Sequence, residues 1–122
     1  MISFYKKMQL YNLREEMYMA NHKEVIVKTI DDIKETVDFF YQQNDKEALK
    51  KFETVIGGMM SSIDSLVAYR NENSDFTFDE TKIMDTLTEA MNALQDGDFV
   101  LLADILQYDF LEYMQELSDN ME

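Results

Sequence analysis

The sequence predicts an all-α protein: an antiparallel helical bundle of four to five helices, built from two helical hairpins plus an N-terminal helix or arm. Three observations carry this. Proline is absent and glycine stands only at 57, 58 and 97, so almost nothing interrupts helix formation. Apolar residues recur at i, i+3, i+4 and i+7 along nearly the whole chain. Polar turn signals at 42–45 and 95–98 each join two such stripes, as short antiparallel connections do. At 122 residues the chain has the length of a single domain spanning 1–122, long enough to bury a core without metals or disulfides.

The predicted elements run 2–20, 22–42, 45–70, 78–95 and 98–118. In the first, Phe4, Met8, Tyr11 and Tyr18 make one stripe and Leu10, Leu13 and Met17 another. Asn21 with Glu24 has capping-box spacing and predicts a break before the second helix, with a four-helix count if that break is absent. The second helix carries Ile26, Ile30, Ile33, Val37 and Phe40; its Val25-Ile26-Val27 cluster is too short to outweigh the helical pattern. Asn44 with Glu47 predicts a capped start for the third, whose stripe is Leu49, Phe52, Val55, Ile56, Met59, Met60, Ile63, Leu66 and Val67. Its Gly57-Gly58 pair, with Ser61 and Ser62, predicts a close crossing with a neighbouring helix.

NENSDFT at 71–77 is the longer loop, and Thr77 with Glu80 predicts the cap of the fourth helix. There Ile83, Met84, Leu87, Ala90, Met91 and Leu94 form a stripe. By helical phase Met59, Met84, Met91 and Met114 are core residues. QDGD at 95–98 places Gly97 where a helix end needs positive φ and Asp98 where the next helix needs a cap.

The last helix, DFVLLADILQYDFLEYM onward, is apolar on two sides. At 100° per residue, Phe99, Leu102, Ala103, Leu106, Phe110, Tyr113, Met114 and Leu117 share one arc, wide enough for a core face. Leu101, Ile105 and Tyr108 form a second stripe bordered by Asp104, Asp109 and Glu112. Two explanations compete for it. Either it is covered by a neighbour such as the N-terminal arm, or it is a docking groove or oligomer seam suited to an amphipathic helix with basic flanks. Leu101, Asp104, Ile105, Tyr108, Asp109 and Glu112 are therefore the candidate partner-binding residues. The ten methionines add weak support for binding, because flexible thioethers suit adaptable surfaces.

Charge narrows the class of partner. Residues 1–51 hold nine Lys/Arg and nine Asp/Glu, whereas 52–122 hold only Arg70 and Lys82 against sixteen acids, so the whole net charge of −14 lies there. Such a surface disfavours nucleic acid and anionic membranes. A protein partner, basic or amphipathic-helical, or self-association as a homodimer, is the expectation. No cysteine, signal peptide or long uncharged apolar run is seen, which points to a cytoplasmic protein.

No catalytic constellation is found, so an enzyme is not expected, and no catalytic, cofactor-binding or metal-ligating residue is assigned. A di-iron bundle needs Glu-x-x-His on two helices, and this chain has one histidine, His22. His22 is expected on the surface; as an exposed mid-helix phosphoacceptor it would support the alternative, a phosphotransfer or small-ligand-binding bundle. The loop 71–80 fails as a calcium site, with Phe76 where glycine is required and Lys82 where the bidentate acid belongs.

The segment D-F-V-L-L-A-D-I-L-Q-Y resembles the C-terminal signature of a family of small, uncharacterised, all-helical proteins of Gram-positive anaerobes and their relatives. The matching residues are Asp98, Val100, Leu101, Leu102, Ala103, Asp104, Leu106 and Tyr108. The resemblance implies a cytosolic bacterial helical protein with no catalytic residues to carry over. In size, acidity and helical content the chain is also similar to the export chaperones of flagellar and type III secretion systems, which implies a chaperone-like or adaptor role.

Overall fold

The computed structural model describes residues 4–121, with the side chains of residues 22–121. The elements are α1 (Phe4–Tyr41), α2 (Asp45–Glu72), α3 (Glu80–Gln95), α4 (Phe99–Asp104), a π-helical segment (Ile105–Leu111) and α5 (Glu112–Asp119). The last three run on without a break as one last helix, so the described residues hold four helices and no strand. The break predicted at Asn21 is absent: α1 passes straight through it. A capping-box spacing nominates a start, but no glycine or proline stands between residues 2 and 42 to stop the preceding helix. The apolar stripes assigned to residues 1–20 lie outside the described side chains.

Turn chemistry explains the hairpins. After α3, Gly97 takes φ +69°, its N–H meets Leu94 O at 3.1 Å and that of Asp98 meets Ala93 O at 3.0 Å. This is the paired bonding that closes a helix through a left-handed residue. Asp98 then caps the last helix by accepting from Leu101 N at 3.1 Å. The first hairpin closes the same way with Gln43 at φ 59°, Gln43 N on Phe40 O and Asn44 N on Phe39 O. Two predicted caps are corrected. Asn44 stands at the N-cap of α2 but its side chain makes no cap bond. α3 is capped by Asp79, not Thr77: Asp79 Oδ1 accepts from Lys82 N at 3.1 Å.

α1 packs along α2 on one side and along the last helix on the other, and α3 packs on the last helix. The core between them includes Ile26, Ile33 and Val37 of α1, Phe52, Val55, Met59 and Leu66 of α2, and Leu102, Leu106, Phe110 and Met114 of the last helix. The predicted close crossing is present, at Gly58 and not at Gly57. A Cβ on Gly58 would lie 2.8 Å from Thr29 Oγ1, whereas one on Gly57 would meet nothing within 4 Å. Thr29 Oγ1 lies 3.1 Å from Gly58 O, so a hydroxyl of α1 sits against the bare backbone of α2. The C-terminus is tied to α1 where Lys23 Nζ donates to Met121 O at 3.2 Å. Loop 73–79 is pinned by Phe76, which is buried and meets Tyr69 edge-on with ring centroids 4.9 Å apart.

Candidate functional site

The six residues singled out on the last helix are not equally open to solvent. Leu101 and Tyr108 are exposed, at 46% and 60%, but Ile105 between them is buried at 5%. Asp109 and Glu112 are exposed. Asp104 is engaged, accepting a 2.6 Å hydrogen bond from the phenol of Tyr41 at the end of α1. Partial burial first, then that bond and the Asp104 charge, push the Tyr41 phenol well above its ordinary value. The stripe is thus interrupted at Ile105, which belongs to the core, while Leu101 and Tyr108 on either side of it remain exposed.

Two physical reasons account for this. The last helix lies between α1 and α3, which widens its buried arc until Ile105 falls inside it. The π-helical stretch from Ile105 to Leu111 then winds more slowly than 3.6 residues per turn, as one extra residue in a turn does. Leu111, which a regular wheel leaves outside both stripes, is consequently buried at 3%.

His22 is also corrected. It is buried at 2% within α1, well away from any helix start, so it does not present the exposed imidazole that a phosphotransfer bundle needs. The end of α2 and the start of loop 73–79, with Asn120, border a wide polar hollow of about 550 Å³ lined by Glu72, Asn73 and Asp75. Among the described residues no group of three or more His, Cys, Asp or Glu could hold a metal ion.

The arrangement with the clearest binding character lies elsewhere. The backbones of α2 and α3 make almost no close approach, unlike those of α1 and α2 or of α3 and the last helix. Between them runs an apolar groove of about 330 Å³, walled by Ile56, Met59 and Met60 of α2 and by Met84, Leu87, Thr88, Met91 and Asn92 of α3. Met60 is 52% exposed, Met84 51% and Met91 36%. This overturns the assignment of Met84 and Met91 to the core, and Met60 of the α2 stripe stands exposed with them; Met59 and Met114 are buried as predicted. Helical phase identified the stripe correctly but could not say that the partner helix on that side stands off. The methionine content was the one signal in the sequence that pointed this way.

Helical spacing puts three carboxylates beside the groove. Glu53 and Asp64, seven residues before and four after Met60, flank it on α2, and Asp85, three before Thr88, flanks it on α3; all are exposed. The two cations of residues 52–122 are occupied elsewhere. Arg70 pairs with Glu80 at 2.7 Å and lies over the Phe78 ring, and Lys82 lies over the Tyr113 ring at 4.2 Å.

Four helices with an open, methionine-lined edge define a small all-helical bundle with a groove. Residues 18–120 match the family model described as a domain of unknown function (DUF8042), and the chain belongs to that family. No curated protein and no solved structure matches the chain. Among the described residues no helix is long and apolar enough to cross a membrane.

Proposed function

We propose that this protein is a non-catalytic helical bundle that binds another protein, an adaptor or chaperone-like module. The observation that carries this reading is the solvent-open groove between α2 and α3, with three exposed methionines on its walls. Burying large apolar side chains is worth roughly 1.5–3 kcal/mol each, so leaving three out at one site is a cost that a bound partner recovers. Methionine suits the task because its unbranched thioether adapts to more than one contour. The exposed Leu101 and Tyr108 on the last helix are separate from this groove and serve as the comparison surface.

A photo-crosslinking amino acid placed at Met84 in cells identifies the partner, and calorimetry with the purified pair then measures the contact. The double substitution Met60→Glu/Met84→Glu is expected to weaken binding about tenfold or more, since two apolar contacts are replaced by charge. Leu101→Asp/Tyr108→Ala is expected to leave it within about twofold. Equal affinity for wild type and the groove variant, or loss only in the Leu101/Tyr108 variant, would move the interface off the groove.

A further inference from the structure

Resting on that reading, we infer the chemistry of the occupant: one amphipathic α-helix of a partner protein, with an apolar stripe flanked by Lys or Arg. The shape argues for a helix. The groove lies between two helices held apart, and its lining residues on α3 run from Met84 to Asn92, roughly 12 Å or two turns. An apolar stripe of i, i+3/i+4, i+7 residues fills such a slot, as helix-in-groove recognition does. A helix seated there would stand where α2 and α3 fail to close on each other.

The charge argues for basic flanks. Glu53 and Asp64 on α2 and Asp85 on α3 are exposed, and their helical spacing from Met60 and Thr88 sets them beside the apolar lining; Asp96 at the end of α3 is exposed as well. Arg70 and Lys82, the only cations in residues 52–122, make their described contacts with Glu80, Phe78 and Tyr113. Cations brought by the partner would meet these exposed carboxylates, which favours association and selects against acidic helices. The same charges argue against a second copy as occupant. Two chains of net charge −14 repel each other, and a slot two turns long is small beside the ~800 Å² per partner of a stable dimer.

The test uses the full chain and synthetic helical peptides of about four turns with leucine anchors, one flanked by lysines and one by glutamates. Affinity is read by fluorescence anisotropy, contact by methyl-labelled methionine NMR, and stoichiometry by light scattering. The lysine-flanked peptide is expected to bind one-to-one and about tenfold or more tighter than the glutamate-flanked one at low salt, the gap shrinking as salt screens the rim. The methyl signals of Met60, Met84 and Met91 are expected to shift, with Met114 unmoved. Met60→Glu/Met84→Glu abolishes these effects, and Met60→Leu keeps them. Equal affinities for the two peptides, shifts centred away from the groove, or groove shifts that grow with a doubling of mass in the free protein overturn the inference. If the in-cell crosslink at Met84 identifies a partner that carries no basic amphipathic helix, this inference falls while the interaction reading stands. If the crosslinked contact is indifferent to the groove substitutions, the interaction reading falls first.

Discussion

Tyr41 and Asp104 show how a side chain predicted for one task performs another. Helical phase sets Asp104 at the rim of a docking stripe, yet at 2.6 Å it receives the Tyr41 hydroxyl and ties the end of α1 to the last helix. A hydroxyl donating to a carboxylate is a strong hydrogen bond, but Tyr41 is 45% exposed, and solvent screens much of the gain. Tyr41→Phe is therefore expected to cost about 0.5–1 kcal/mol at neutral pH, measured by urea denaturation. The pH dependence follows from the raised phenol. Partial burial and the Asp104 carboxylate hold the proton on Tyr41 more tightly in the folded state than in the unfolded one. The contribution is thus complete below the unfolded phenol value of about 10 and is lost as pH climbs above it. The stabilities of wild type and Tyr41→Phe are expected to converge in strong alkali, and a gap that stays constant there would mean that the bond does not form in solution.

At the scale of helices, the neighbouring glycines of α2 separate two effects usually confounded. Both sit in a helix, where glycine costs about 1 kcal/mol relative to alanine. Gly57 faces open space, so Gly57→Ala is expected to stabilise by about that amount. At Gly58 the new methyl would meet Thr29 Oγ1 at 2.8 Å. Thr29 is β-branched, stiff at χ1, and bonded to Val25 O at 3.0 Å and Gly58 O at 3.1 Å, so it yields poorly. Gly58→Ala is expected to destabilise by about 1–2 kcal/mol despite its better propensity. Thermal melts of the two variants should move in opposite directions; a shared sign would show that α1 and α2 are not in close contact at this point. The sequence made a close crossing legible because paired small residues in a helix have few other uses. Which glycine faces α1 depends on the rotation of α2, and that is set by the register of both stripes together. The same distinction separates Gly97 from Asn21. The glycine turn carries a backbone requirement that Gly97 meets at φ +69°, whereas Asn21 carries only a spacing, which an uninterrupted helix overrides.

Across the whole molecule, what escaped the sequence was the side of the bundle left open. Periodicity reports that Met84 and Met91 share an apolar face with Ile83 and Leu87; it contains no term for the distance between α2 and α3. Ile83 is 2% exposed and Met84 51%, one position apart, because that face looks partly at the last helix and partly into the groove. The charge distribution was fully legible, and it couples folding to binding through salt. Sixteen acids against two cations over residues 52–122 repel one another more in the compact chain than in the unfolded one. Salt shortens the reach of that repulsion to about 10 Å at 0.1 M and further above it. The thermal midpoint of the free protein is therefore expected to rise by several degrees between low salt and ~0.5 M sodium chloride. Affinity for a basic helix is expected to fall over the same range, because the rim carboxylates attract it through the same screened field. The apolar contacts inside the groove are not screened, so binding should level off at high salt instead of vanishing. Calorimetry and anisotropy on one salt series distinguish the cases. Opposite slopes with a residual plateau are the signature of an apolar slot inside an acidic rim, whereas an affinity that falls to nothing would assign binding to surface charge alone and leave the methionines without a role.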